Sequence, residues 1–404
     1  MNDTSKTAMN SFRSKLGQLS RWLHLWLGLT SGLIVFIVSI TGCLYVFQSE
    51  IKDALEPWRF VEAQGKPFVP PSQLVDTALV YMPGKTPTGL TYEDETGAAA
   101  VGFYYIENDK LDFGVVFMNP YSCEFIRKQE AVLHGSFDFF QFIMKGHRHL
   151  WLPEAIGKRV VGIGALVYVV LLITGLIMWW PASWKKKHRE RSFRVNWKAG
   201  FKRLVFDLHS VSGFYILIFV LIIACTGLVW SFKWVENSVY YLASGGESKV
   251  EHAHPHSDVS KAALAVSDSI PAIDRAWYLT LAQNPNPERI YMTPHLAEED
   301  EAIEILVFHK KGKFYHHDEY FYDRYTLEPL AVEKYVDAGF ADKLNLMNYD
   351  IHTGAILGLP GKILAFIVSL ISASLPVTGF LVWLNKRKAQ RKFRHSMEGQ
   401  QGKR

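Results

Sequence analysis

The chain has 404 residues, 49% hydrophobic, 14% aromatic and 21% charged, with a net charge of +5. Its mean hydropathy of +0.03 is too high for an ordinary water-soluble enzyme and too low for a chain buried throughout in lipid, so polar and apolar residues must be segregated along it. Of the three cysteines only Cys123 lies outside the apolar stretches, which excludes an external disulfide within one chain.

Four charge-free stretches follow in chain order: Leu25–Phe47, Val160–Trp180, Val211–Phe232 and Ile363–Leu384. At about 1.5 Å per residue each is long enough to cross a hydrocarbon core of about 30 Å, and lipid satisfies no backbone group, so the stretches predict membrane helices. The first run is too long for a cleaved signal and has no small-residue cleavage site after it, so it reads as a retained span. The chain then divides into an N-terminal segment (1–24), a first span (25–47), an outer domain (48–146), a second span with its lead-in (147–180), a basic loop (181–207), a third span (208–232), a second outer domain (233–350), a fourth span with its lead-in (351–384) and a basic tail (385–404).

Charge gives the expected orientation. The N-terminal segment, the middle loop and the tail hold 21 basic against four acidic residues, a local charge of +17, whereas the two longer connections sum to −12. Lys and Arg gather on the cytoplasmic side, so the termini and the short loop are expected inside and two acidic domains outside. The basic runs Lys185–Arg191 and Lys386–Arg394 each abut a span and read as anchors on anionic lipid, not as nucleic-acid sites.

Each outer domain reads as α+β. Ser72–Tyr81 and Val259–Val266 predict short helices, and Val101–Ile106, Phe113–Met118, Ile303–Phe308 and Lys313–Phe321 predict strands, punctuated by Pro83-Gly84 and Pro285-Asn-Pro287. No phosphate loop, nucleophile elbow or dinucleotide fingerprint occurs.

The order span, outer domain, span occurs twice, so the fold expected is an α-helical membrane protein of four spans in two parallel repeats with two α+β domains. Local matches support the duplication. Phe117–Glu124 corresponds to Phe321–Glu328, a strand entering an Asn- or Asp-started turn, and every span carries a Thr-Gly step: Thr41-Gly42, Thr174-Gly175, Thr226-Gly227 and Thr378-Gly379.

Ionisable residues at membrane depth are costly and point to function. His24 and His209 each precede a Thr-Gly glycine, Gly42 and Gly227, by the same 18 residues, at the cytoplasmic ends of the first and third spans. His352 precedes Gly379 by 27 residues, and His147 and His149 precede Gly175 by 28 and 26, at the outer ends of the fourth and second spans. Two histidine pairs result, one per face. Such pairs suit axial ligation of haem, one imidazole on each side of the iron, with Gly28, Gly32, Gly213, Gly354 and Gly358 leaving room for a flat ring. The cofactor expected is two haem b, non-covalent because no C-x-x-C-H is present, ligated by His24 with His209 and by His352 with His147 or His149. The latter two point about 200° apart on a helix, so only one faces the axis. His134 is a further candidate on the outer side. His252, His254 and His256 read as a solvated linker, His316-His317 as strand residues, and Trp179, Trp180, Trp230 and Trp383 as an interfacial belt.

These residues resemble the PepSY-associated transmembrane family of iron-linked bacterial membrane proteins. The likeness runs over nearly the whole chain. It rests on Leu23–Leu29 (LHLWLGL), His147-Arg148-His149-Leu150 with Gly157-Lys158, Leu208-His209, and His352-Thr353-Gly354 with Gly358–Lys362 (GLPGK). The family's H-R-x-L histidine falls on His147, and the outer domains look like PepSY modules ending at the Asn119 and Asp323 turns, with Cys123 and Leu327 in place of the usual glycine. The resemblance implies a ferric-siderophore reductase: a haem-dependent oxidoreductase that moves electrons across the membrane to a ferric siderophore or other ferric chelate, releasing Fe(II) for iron uptake. The donor implied is a quinol or a cytoplasmic reductase, and no catalytic side chain is assigned. The alternatives are a non-enzymatic PepSY regulator, as a peptidase inhibitor or a haem or iron sensor, and, ranked last because no span carries a buried acidic residue, an iron or siderophore permease.

Overall fold

The computed structural model describes residues 3–107, 110–130, 138–181, 183–249, 254–264, 270–294 and 298–401. They form two compact units, each drawn from separate stretches of chain: residues 1–46, 140–236 and 351–404 make a helical unit, and residues 47–139 and 237–350 make a sheet unit.

Four helices in the first unit are long and apolar enough to cross a membrane: α1 (Asp3–Tyr45), α5 (Glu154–Trp179), α7 (Phe201–Ser231) and α12 (Leu359–Gln401). The protein is a membrane protein. The helices outrun the charge-free stretches because polar flanks can stay helical: Lys386–Arg394 in α12, for example, is rich in good helix formers and lacks glycine and proline. Absence of charge marks what lipid tolerates, not where a helix ends. Short helices α4 (Phe139–His149) and α11 (Asn348–His352) lead into α5 and α12, while α6 (Lys186–Phe193) lies in the basic loop and α8 (Lys233–Ala243) follows α7.

Helix α1 packs on α5 and α12, and α7 packs on the same two. Leu172, Ile216, Val220, Val368 and Leu375 fill the bundle interior, flanked by Tyr168. Leu33, Ile163, Ile173, Ile218 and Leu370 face outward, as lipid requires and water would not. The threonines of the Thr-Gly steps satisfy their hydroxyls on carbonyls one turn back, Thr41 on Ile37 and Thr174 on Val170 for example, which makes them compatible with a span. Pro376 has no N–H to return to the Ser372 carbonyl, so α12 loosens there.

The sheet unit holds α2 (Gln48–Leu55), α3 (Pro71–Tyr81), α9 (Ala272–Gln283), α10 (Phe340–Leu346) and eight antiparallel strands. The strands are β1 (Pro87–Tyr92), β2 (Ala99–Glu107), β3 (Lys110–Met118), β4 (Phe125–Glu130), β5 (Arg289–Met292), β6 (Ile303–Phe308), β7 (His317–Tyr322) and β8 (Pro329–Glu333). Their order is β4-β3-β2-β1-β5-β6-β7-β8. The two connections expected to fold as separate outer domains therefore share one sheet, joined where Leu90, Thr91 and Tyr92 of β1 pair with Met292, Tyr291 and Ile290 of β5. The physical reason is edge protection: each meander alone would expose the unpaired backbone of its first strand. Their cores merge as well, with Tyr92 stacked on Trp277 of α9 at 5.4 Å between ring centres.

Two local expectations change. Residues Val259–Leu264 form a 3-10 turn, residues 265–269 lie outside the described set, and the second half's helix is α9, whose Ala276, Trp277 and Thr280 are buried at helical spacing. Strand β7 starts at His317, because residues 309–316 turn through Gly312 at φ +68°. The paired turns form as expected: the Asn119 and Asp323 carbonyls accept from the N–H of Cys123 and Leu327, at 3.0 and 2.9 Å. Cys123 and Leu327 take φ of +57° and +60°, the left-handed region that favours glycine.

Candidate cofactor-binding site

Each Thr-Gly step of the bundle receives one histidine from a neighbouring helix. The threonine offers its hydroxyl, and the carbonyl three residues before it points the same way. His147 of α4 places Nδ1 2.9 Å from the Val38 carbonyl and 3.4 Å from Thr41 Oγ1. His24 of α1 meets Thr174 Oγ1 at 3.0 Å, with the Leu171 carbonyl as a further partner. His209 of α7 lies 3.1 Å from the Leu375 carbonyl and 3.0 Å from Thr378 Oγ1, and His352 of α11 lies 3.0 Å from the Ile223 carbonyl and 2.9 Å from Thr226 Oγ1.

The glycine after each threonine makes the approach possible. A Cβ on Gly42 would lie 2.9 Å from His147 Cε1, and on Gly379 3.0 Å from His209 Cε1; the values for Gly175 with His24 and Gly227 with His352 are 3.2 and 3.4 Å. A carbonyl oxygen only accepts, so Nδ1 carries the proton. The Nε2 lone pair is then left for a metal.

The rings meet in pairs across the bundle. His24 and His209 have ring centres 6.1 Å apart at 82°, and His147 and His352 have centres 6.0 Å apart at 69°. An imidazole nitrogen bonds a first-row metal at about 2 Å, with the ring centre about 1 Å behind it, so two imidazoles on opposite sides of one metal have centres about 6 Å apart. Among the described residues no group of three or more His, Cys, Asp or Glu side chains could hold a metal. Each pair thus offers two imidazoles at that spacing, and a macrocycle that brings its own four donors fits such a set, as haem does.

His149, two residues from His147, lies beside Glu154, with Nε2 3.9 Å from Oε1, and its backbone packs against Gly157. It has no place opposite His352. His134 lies outside the described residues, as does His252. His256 sits 3.0 Å from Asp300, His254 faces the Phe321 ring, and His317 donates to Glu319 at 3.0 Å, so none of these joins a histidine pair.

Sequence reasoning used the Thr-Gly steps as marks of duplication and of depth, and missed them as the notches that seat the histidines. It also assigned the tryptophans together to a belt. Trp180 is exposed, but Trp179 is buried, stacks on Phe214 at 3.6 Å and donates to the Ser192 carbonyl at 2.9 Å, tying the basic loop to the bundle. Trp230 sets its ring 5.2 Å from that of His352. The signal was spacing: both lie about one turn beyond a Thr-Gly step. Asp207, two residues before His209 and just ahead of the third charge-free stretch, is a buried acid within α7. Arg203 pairs with it at 2.7 Å and the Asn196 N–H donates to it at 3.2 Å, so it staples the loop to the start of the helix.

Four apolar helices with two facing histidine pairs, in a chain that also builds an antiparallel sheet unit, define a membrane protein with an α+β part. The chain belongs to the family described as the PepSY-associated TM region, whose profile matches residues 21–386. Comparison with curated proteins gives no match.

Proposed function

We propose that the protein is a di-haem electron-transfer protein of the bacterial inner membrane that reduces ferric iron, held as a siderophore or other ferric chelate, on the periplasmic side and so frees Fe(II) for uptake. The observation that carries the proposal is the 6.0 and 6.1 Å spacing of the two histidine pairs. Haem b bound at each pair would supply a one-electron Fe(III)/Fe(II) couple. The chain's own part is positional. Val38, Leu375 and Ile223 fix the Nδ1 protons of His147, His209 and His352, so each Nε2 lone pair is left for a metal. With an imidazole on each side neither pair leaves an open position, which favours outer-sphere electron transfer over oxygen activation.

The distribution of Lys and Arg supports cytoplasmic termini, with the sheet unit in the periplasm and the His24–His209 pair on the donor side. A quinol or a cytoplasmic reductase is the donor in this scheme. The palindromic strand order and the fourfold recurrence of the Thr-Gly notch favour two parallel repeats. Reduction suits iron release because the hard oxygen ligands of a ferric chelate hold Fe(II) far less tightly.

Protein purified with adequate haem should show the sharp reduced α band of bis-histidine haem at two haems per chain. His209→Ala and His352→Ala should each lose one, and dithionite-reduced wild type should reduce a ferric siderophore. No α band in the wild type would refute the proposal.

A further inference from the structure

We propose that Ser39, Ser372 and Tyr168 form a hydrogen-bonded bridge along which an electron passes between the two histidine pairs; this rests on the di-haem reading above. Ser372 Oγ lies 2.9 Å from Ser39 Oγ and 2.7 Å from the Tyr168 hydroxyl, so α1, α5 and α12 meet through three hydroxyls beside the apolar interior. Ser372 is buried, and Tyr168 and Ser372 stand at matched positions, each seven residues before the glycine of its span's Thr-Gly step, Gly175 and Gly379.

The trio joins the hydrogen bonds of three histidines. Ser39 follows Val38, whose carbonyl accepts from His147. Ser372 lies one helical turn before Leu375, whose carbonyl accepts from His209. Tyr168 lies on α5 less than two turns before Thr174, which contacts His24. From His147 to His209 the route therefore crosses three hydrogen bonds, His147 to Val38, Ser39 to Ser372 and Leu375 to His209, with only covalent backbone between them.

Tunnelling decays more steeply across a van der Waals gap than along covalent or hydrogen bonds. His24 and Gly42, which mark the two levels on α1, are 18 residues apart, about 27 Å of helix, so the number of gaps matters. The step moves one electron and no proton. Haem bound at each pair would supply the one-electron couple, one site giving the electron that the other takes, while Ser39, Ser372 and Tyr168 each keep their hydrogen.

The test uses the full-length haem-loaded chain in sealed vesicles with membrane-impermeant dithionite outside. The reductant reaches only one face, so absorbance should follow a fast phase at the near pair and a slow phase at the far one. Ser39→Ala and Ser372→Ala should slow the second phase severalfold and leave the first unchanged, and Ser372→Thr should restore it. Tyr168→Phe, which spares the line from His147 to His209, should have the smaller effect. In haem-free protein, ¹⁵N spectra of the histidines should be unaltered by Ser39→Ala. A changed spectrum would mean that the serine positions His147, not that it conducts, and would overturn the bridge. An unchanged slow phase in both alanine variants would overturn it too while leaving the di-haem reading intact, whereas wild type without an α band would remove both.

Discussion

At the Gly42 and Gly379 steps one methyl group separates a seated histidine from a displaced one. The Cβ positions built on Gly42 and Gly379 fall 2.9 and 3.0 Å from a ring carbon, closer than ordinary contacts, while that on Gly227 falls at 3.4 Å. Gly42→Ala and Gly379→Ala should therefore lower haem content from two per chain toward one, and Gly227→Ala should retain both. Haem-to-protein ratios after purification test this; equal loss in all three variants would mean that the glycines serve helix packing in general. Asp323 poses a separate residue-scale test in the sheet unit. Burial pushes its carboxyl up, but the N–H groups of Thr326, Asp258 and Tyr325 and the Thr326 hydroxyl outweigh that and hold it below the usual carboxylate value. A folded-state value below the unfolded one contributes stability above about pH 4, and the contribution is lost as pH falls through the folded value. Asp323→Ala should cost about 1–3 kcal/mol at pH 7 through stranded N–H groups. Asp323→Asn, which copies Asn119 of the first half, should cost less and should flatten the acid limb of a pH–stability curve. The histidines themselves were legible in the sequence because charge at membrane depth is rare. Spacing alone left His147 and His149 open, since the choice depends on the rotation of α4 against α1; only the family resemblance pointed to His147.

Among the elements, strands β2, β3 and β6 were legible because apolar alternation has a short period, and α3 because Pro71 starts it. The junction of β1 with β5 was not. It pairs residues about 200 apart, and local pattern carries no information about which edge a strand will meet. The junction makes a testable claim about cooperativity. Leu90 and Met292 are fully buried at it. Leu90→Ala should destabilise by about 2–5 kcal/mol, and the effect should reach both halves of the sheet. Hydrogen exchange in denaturant would report it: amides of β2 and β6 should share one opening free energy and drop together in the variant. Separate openings, with only β2 affected, would mean that the halves fold as independent modules.

For the whole molecule the decisive quantity is the segregation of charge hidden in the net +5. A chain with +17 on three segments and −12 on two connections has one orientation that satisfies anionic lipid on the cytoplasmic face, and the proposed direction of electron flow depends on it. If the sheet unit faced the cytoplasm, the His147–His352 pair would sit on the donor side and reduction of an external ferric chelate would lose its geometry. Lys198 in the basic loop and Glu247 in the second connection are both exposed. In a Cys123→Ser background, Glu247→Cys should react with an impermeant maleimide in cells whose outer membrane is permeabilised, and Lys198→Cys should react only in inside-out vesicles. The reverse pattern would invert the topology and, with it, the assignment of donor and acceptor sides to the two histidine pairs.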